Sequence, residues 1–470
     1  MNRETAQCRL SCRKLRLSME DWAGRRWRRL ATGAAAPRRK LRTMRTPSAA
    51  EARRFDPARF ETFRFTGRRF EDGTAVLEYA LDDEVEFVER VHFPGASGAH
   101  SDALLELLHL VAGVSYYKVA APPAIEAPGS PLLEALYTHG LAEFAYVNGI
   151  DLRPRFDGGT ATPAPAAEPL ELPRRTAVPI GGGKDSIVSL EALKRAGEPV
   201  VAFSVGNPDP IRRSVEVAGV EHLVVERELS PNLAELNAAG ALNGHVPVTA
   251  VVSAIACFAA PLYGFDAIAM SNERSASEPS VVVDGREVNH QWSKGLAFER
   301  LLRDELAARA PGLDWFSFLR PWSELAIARA FARLDGYDDA FTSCNSVFRR
   351  DPARRGSGWC GDCPKCRFVF LVLAPWMEPE RLVRVFGRNL LDEPDQVAGF
   401  AELVASGRKP LECVGEERES AAALRMLAES DAWRGTPVVR ALADPGAPLD
   451  GLLDPSPDHL VPERLADAAL

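Results

Sequence analysis

From Thr176 onward, short apolar runs alternate with helical patterns, and this alternation constrains the fold more than any other feature of the chain. Residues 177–180 read as a first strand, 187–195 as a helix and 199–205 as a second strand. Residues 222–225 and 267–270 read as further strands, with 248–259 as a helix between them. Strands and helices in alternation predict an α/β fold, a parallel sheet covered by helices. In such sheets ligands bind beyond the carboxyl ends of the strands. Those ends fall at Gly181, Asn207 and Ser271, each opening a polar loop.

The first of these loops is Gly181-Gly182-Gly183-Lys184-Asp185-Ser186. Glycines let a backbone turn tightly and bring its N–H groups close to an anion. The helix that follows presents the positive end of its dipole, and Ser186 adds a hydroxyl donor. A phosphate is the ligand such a cradle suits. A Walker-type loop would need Gly where Val178 stands and Ser or Thr where Asp185 stands, and a dinucleotide fingerprint would need Gly or Ala in place of Ser186. Neither pattern fits.

The flanking regions have different textures. Residues 60–70, 74–81 and 86–93 alternate apolar and polar groups, with Asp72-Gly73 and Asp82-Asp83 at the breaks, which predicts an antiparallel meander. Helical patterns follow over 102–112 and 131–147, completing a small N-terminal α+β domain over 55–159 in which no catalytic motif is visible. Residues 160–173, rich in Pro and Ala, read as a linker. The main domain then spans 174–374, and 375–470 reads as short helices forming an appendage or lid. Residues 1–54 are strongly basic, +12, while the whole chain carries -8, so the remainder sums to -20. The basic segment has no apolar core of signal-peptide type and little helical periodicity. It reads as a disordered or mis-started leader rather than an RNA-binding arm or transit peptide. An acidic body argues against extended nucleic-acid contact, and no run of about 18 apolar residues suggests a membrane span. The expected location is cytoplasmic.

Among eight cysteines, Cys360, Cys363 and Cys366 follow a C-x2-C-x2-C pattern, with Cys344 upstream. Three sulfurs curled around one point and a fourth from a nearby loop make a plausible tetrahedral, structural zinc site. A ferredoxin-type cluster would need a further Cys at Phe370. Between the phosphate loop and this cluster, Ser271-Asn272-Glu273-Arg274-Ser275-Ala276-Ser277-Glu278 leads to Val288-Asn289-His290-Gln291-Trp292-Ser293-Lys294. In this dense run of polar groups, Arg274 and Lys294 suit anionic substrate groups, and Glu273, His290 or Lys294 suits proton transfer.

Gly182, Gly183, Asp185 and Ser186 resemble the Ser-Gly-Gly-x-Asp-Ser signature of the PP-loop ATP pyrophosphatases, with Gly181 in place of the leading Ser. Residues 342–345 and 359–367 resemble the zinc-binding tail of the PP-loop enzymes that make 7-cyano-7-deazaguanine. The order of motifs along 60–433 is similar to that of the ATP-dependent UDP-N-acetyl-α-D-muramoyl-L-alanyl-L-glutamate epimerases. Those motifs are 114–118, the phosphate loop, 272–276, 288–291 with Ser293 and Lys294, 320–325, 343–345 and 412–416. The resemblance implies a PP-loop core of the adenine nucleotide alpha hydrolase type, ATP as co-substrate with Mg2+ to neutralise its triphosphate, a structural Zn2+, and a UDP-sugar dipeptide substrate. It implies ATP contacts at Gly181, Gly182, Gly183, Lys184, Asp185, Ser186 and Asn207. Substrate contacts are expected at Asn272, Glu273, Arg274, Ser275, Asn289 and His290, and catalytic roles at Lys184, Asp185, His290 and Lys294. Another carboxylate-adenylating PP-loop enzyme, or a zinc-stapled nucleotide-binding protein, are the competing expectations. The base is open between His290, Lys294 and Cys413, and one-base and two-base schemes both stand.

Overall fold

The alternating runs at the amino-terminal side pair as expected: β1 (Thr62–Glu71), β2 (Thr74–Leu81) and β3 (Val85–His92) form an antiparallel meander. Asp72 and Gly73 both take positive φ, the primed-turn geometry that matches strand twist. The structure is a computed structural model describing residues 55–158, 167–349, 352–404, 409–465, 468 and 470. The leader expected over 1–54 and much of the linker expected over 160–173 lie outside the described residues. Two short strands, β4 (Ala124–Glu126) and β5 (Arg155–Phe156), run parallel beside β1. The helix expected over 131–147 is two helices, Pro131–Thr138 and Ala142–Asn148. The chain bends sharply at Gly140, where a Cβ would meet the Leu136 carbonyl oxygen at 2.4 Å.

The second half of the sheet comprises β6 (Thr176–Pro179), β7 (Val200–Val205), β8 (His222–Glu228) and β9 (Ala267–Met270). A hairpin, β10 (Val281–Val283) with β11 (Arg286–Val288), stands apart, and β12 (Asp314–Ser317) returns to the sheet. The parallel order is β12-β9-β6-β7-β8, so β6 is central and the chain reverses direction of winding there. That reversal opens the crevice in which α/β sheets hold ligands. β3 pairs antiparallel with β8, and the two halves become one ten-stranded sheet, mostly parallel. Pairing with the meander satisfies the edge that β8 would otherwise expose. Residues 55–470 form one compact unit.

Both faces of the parallel strands are buried, so alternate residues enter two separate cores. Ala177, Val201, Phe203, Ile268 and Trp315 pack with the meander and the helices Asp102–Ala112 and Val248–Tyr263. Val178, Ala202, Ala269 and Phe316 pack with the helices Lys184–Arg195, Glu324–Phe331 and Pro364–Leu373. Leu382, Leu424 and Leu427 are fully buried in that second core. The C-terminal helices, expected as an appendage, therefore cover one face of the sheet. Apolar stripes on short helices need such a partner to be stable. Among the described residues no helix is long and apolar enough to cross a membrane.

Candidate active site

The carboxyl ends of β6, β7 and β9 open into a cavity of about 980 Å³. Its floor is the glycine loop, lined by Gly181, Gly183, Lys184, Asp185 and Ser186. Gly182 takes φ +77°, and a Cβ there would press on Pro210 and the Ile211 backbone at 3.0–3.1 Å, so only glycine fits. Gly183 caps the helix Lys184–Arg195 without a side-chain hydrogen bond, so the first turn at the cavity keeps N–H groups that no cap satisfies. Ser186 does more structural work than its sequence position implies. Its Oγ accepts from Gly181 N–H at 3.3 Å and donates to the Gly183 carbonyl at 3.2 Å, clamping the loop on itself.

Lys184 is 3 % exposed and its ammonium is bonded to both Asp185 and Glu324. Burial works against the Lys184 charge, but Asp185 and Glu324 hold its pKa above the ordinary lysine value. Burial in turn pushes the Glu324 carboxyl well up, opposed by Lys184. Glu273, 2 % exposed, completes a group in which one oxygen each from Asp185, Glu273 and Glu324 lies within 4.8 Å of the others. Its Oε2 is buried with no hydrogen-bond partner. Three converging carboxylates with an unused oxygen fit a hard divalent cation such as Mg2+.

The polar run after β9 and the 288–294 segment meet because of the β10–β11 hairpin, whose Asp284-Gly285 turn has positive φ at both residues. Asn289 staples the return: its amide donates to the Ala276 carbonyl at 3.0 Å and its Oδ1 accepts from Gln291 N–H at 2.7 Å. Arg320, 2 % exposed, donates to the carbonyls of both Glu273 and Lys294 and pairs with the fully buried Glu299. One buried guanidinium thus fixes the spacing of the two site segments. Asn272, Glu273, His290 and Lys294 line the cavity; Trp292, between the last two, lines a separate concavity of about 890 Å³.

Around His290 a second cluster forms from distant parts of the chain. His290 Nδ1 lies 2.6 Å from Glu143 Oε2, and the His245 ring is tilted against it with centroids 4.4 Å apart. Cys413, on a loop of the C-terminal region, lines the same cavity and interacts electrostatically with the same imidazole. Burial would depress His290, but Cys413 and Glu143 raise it to about 9. Burial would raise the Cys413 thiol, but Lys294, Lys365 and His290 bring it down to about 6. Each shift favours the charged form of its group, imidazolium for His290 and thiolate for Cys413. Lys294 is held above the ordinary lysine value, against burial, by Cys413, Glu273, Asp185 and Glu324, so it answers electrostatically to both clusters.

The four cysteines expected as zinc ligands come together: one sulfur each from Cys344, Cys360, Cys363 and Cys366 lies within 4.8 Å of the others. Cys363 also caps the helix Pro364–Leu373, its sulfur accepting from Cys366 N–H. Four thiols at this mutual distance fit the donor set that a tetrahedral Zn2+ takes. The preceding loop touches the phosphate loop directly, with Thr342 N–H donating to the Gly182 carbonyl at 2.9 Å. Ser343, Asn345 and Lys365 from this region line the cavity.

The structure thus gathers Gly181, Gly183, Lys184, Asp185, Ser186, Asn272, Glu273, His290 and Lys294 around one space. Asn207 is exposed beyond β7 and does not line it. Arg274, Ser275 and Asn289 lie behind its wall; Arg274 Nε and Nη2 and Ser275 Oγ are buried there with no partner. Glu324, Glu143 and Arg320 were not singled out from the sequence. Glu324 and Arg320 sit in the quoted 320–325 segment, whereas Glu143 carries no local signal, on a helix of a region that showed no motif.

Comparison with known proteins identifies the family of the chain. Residues 54–318 match the MurL N-terminal domain and residues 340–449 the MurL C-terminal domain. The UDP-N-acetyl-alpha-D-muramoyl-L-alanyl-L-glutamate epimerase of Salinispora tropica is 46% identical over 89% of this chain and 96% of its own length. The proteins of that name from a Micromonospora species and from Xanthomonas oryzae pv. oryzae are 48% and 47% identical, over 84% and 82% of this chain and 94% and 90% of theirs. With both domains matched and nearly the full length of each relative covered, the chain belongs to the MurL epimerase family.

Proposed function

We propose that this protein converts the terminal L-Glu of UDP-MurNAc-L-Ala-L-Glu to D-Glu through an acyl-adenylate, consuming ATP and releasing AMP and diphosphate. The observation that carries the reading is that one cavity holds both an anion-binding glycine loop and a cluster of proton-transfer groups, in a chain of this family. The chemistry needs both. An α-proton beside a free carboxylate is very weakly acidic, because its removal adds charge to an anion. Joining that carboxylate to AMP leaves an acyl carbonyl that can accept the developing negative charge.

In this reading the core acts as a PP-loop domain. The N–H groups from Gly182 to Ser186, at the start of the helix, hold the ATP phosphates. Lys184, fixed between Asp185 and Glu324, presents its charge beside them. Asp185, Glu273 and Glu324 would hold Mg2+, which offsets triphosphate charge when bound. Lys294, cationic in this setting, faces the charge that develops on the acyl oxygen. Cys344, Cys360, Cys363 and Cys366 would hold Zn2+ in a structural role, fixing the loop that braces Gly182. A reaction that uses ATP and a nucleotide sugar, both cytoplasmic compounds, supports a cytoplasmic location.

The test is incubation with ATP, Mg2+ and the UDP-sugar dipeptide in D2O. Substrate-dependent AMP release together with deuterium at the glutamate α-carbon is the expected result. AMP without deuterium would point to a different carboxylate-activating reaction, and no AMP would leave only a nucleotide binder.

A further inference from the structure

The epimerase reading leaves open which groups move the proton, and the cavity presents a specific answer. Cys413, His290 and Lys294 all line it, and Glu143 stands behind His290. We propose that Cys413 is the proton-transfer group at the glutamate α-carbon, with His290 as its imidazolium partner and Glu143 as the positioning residue for the imidazole. The proposal rests on the epimerase reading and assigns the chemistry within it.

Geometry comes first. The 2.6 Å contact of His290 Nδ1 with Glu143 Oε2 fixes the ring and leaves Nε2 as the nitrogen available to the thiol and substrate. Cys413 lines the same cavity as this fixed imidazole, and an imidazolium near a sulfur favours its thiolate form. The surrounding charges agree. His290 is faced by Glu143, Cys413 and the His245 ring, and Cys413 by Lys294, Lys365 and His290. His245, lowered to about 4 by burial and by the His290 charge, stays neutral and does not compete for the proton. Lys294 keeps its proton, which suits it to stabilise charge and not to act as the base.

The steps balance without any external oxidant or base. The Cys413 thiolate takes the α-proton: the C–H bond breaks, an S–H bond forms, and the electron pair passes into the acyl group. The planar acyl unit then presents its other face to the thiol, which returns a proton to the α-carbon and becomes thiolate again. Exchange of the thiol proton with His290 and solvent between the two transfers carries deuterium to the carbon. Water then releases AMP from the inverted product.

Three measurements on the full chain test this. Cys413→Ala is expected to lose deuterium incorporation by about 10²–10⁴-fold, while substrate-dependent pyrophosphate exchange into ATP persists. Cys413→Ser gives the same result in a variant of nearly unchanged volume, should the alanine variant fold poorly. The wild-type epimerisation rate is expected to be bell-shaped, rising near pH 6 as the thiolate forms and falling near pH 9 as the imidazolium is lost. In Glu143→Gln the falling limb should move to lower pH, because the carboxylate that raises His290 is gone; a merely structural role would lower the rate without moving it. Wild-type deuterium incorporation in both Cys413 variants would overturn the proposal alone. Absence of pyrophosphate exchange in the wild type would overturn the epimerase reading and this assignment with it.

Discussion

The phosphate-loop cluster and the His290 cluster share one cavity but are built in opposite ways. The first is largely local: six consecutive residues at a strand–helix junction supply the glycines, Lys184 and Asp185, and only Glu324 and Glu273 arrive from elsewhere. The second has no local core. Glu143 comes from a helix in the amino-terminal region, His290 from the segment after the hairpin, and Cys413 from the carboxy-terminal side. The difference teaches that anion binding can be encoded by a short backbone geometry, whereas matched proton-transfer groups require charged side chains brought together from afar.

This contrast can be tested by separating the two half-reactions. Asp185→Asn is expected to have the largest effect, lowering AMP formation by about 10³-fold or more with an unchanged circular dichroism spectrum. Full activity in that variant would remove the loop from the mechanism. The Cys413 variants described above are the counterpart, since they should spare adenylation and lose exchange at the α-carbon. If both classes of variant lost both half-reactions equally, the two clusters would have to be treated as one device.

Glu324→Ala should act on stability as well as activity. It removes one of the two carboxylates bonded to the buried Lys184, and breaking a buried pair in this way costs about 3–5 kcal/mol. Chemical denaturation would show it as a lower midpoint; an unchanged midpoint would mean that Asp185 alone satisfies the ammonium. Cys363→Ser is expected to reduce bound zinc, measured by atomic absorption, and to lower the melting temperature. Because Thr342 N–H holds the Gly182 carbonyl, it should also weaken ATP binding while leaving the pH limbs of epimerisation in place. Smallest of all, Asn289→Ala loses two hydrogen bonds that close the site loop. A cost of about 1–3 kcal/mol follows, read as a modest fall in melting temperature and a raised KM for the UDP-sugar substrate.

Much of the fold is legible in local patterns. The meander, the helix Asp102–Ala112 and strand β9 fall where alternation and apolar runs place them. The 131–147 segment misleads because its apolar spacing continues through Gly140, and only the close approach of the Leu136 carbonyl shows that the helix must break there. The carboxy-terminal helices look peripheral in sequence because each is short; their burial against Val178 and Phe316 is a property of the assembled sheet.

By itself the sequence determined the period of each element, the glycine loop and the cysteine spacing, since these depend on backbone geometry within a few residues. It could also name Cys413 as one of three possible bases, but not choose among them. The proposed choice draws on the tertiary structure, because the charge state of a thiol or imidazole is set by its neighbours in space. His290 and Glu143 are 147 positions apart in the chain, and Lys184 and Glu324 are 140 apart. No local pattern encodes contacts at that range, and burial makes their electrostatic consequences large.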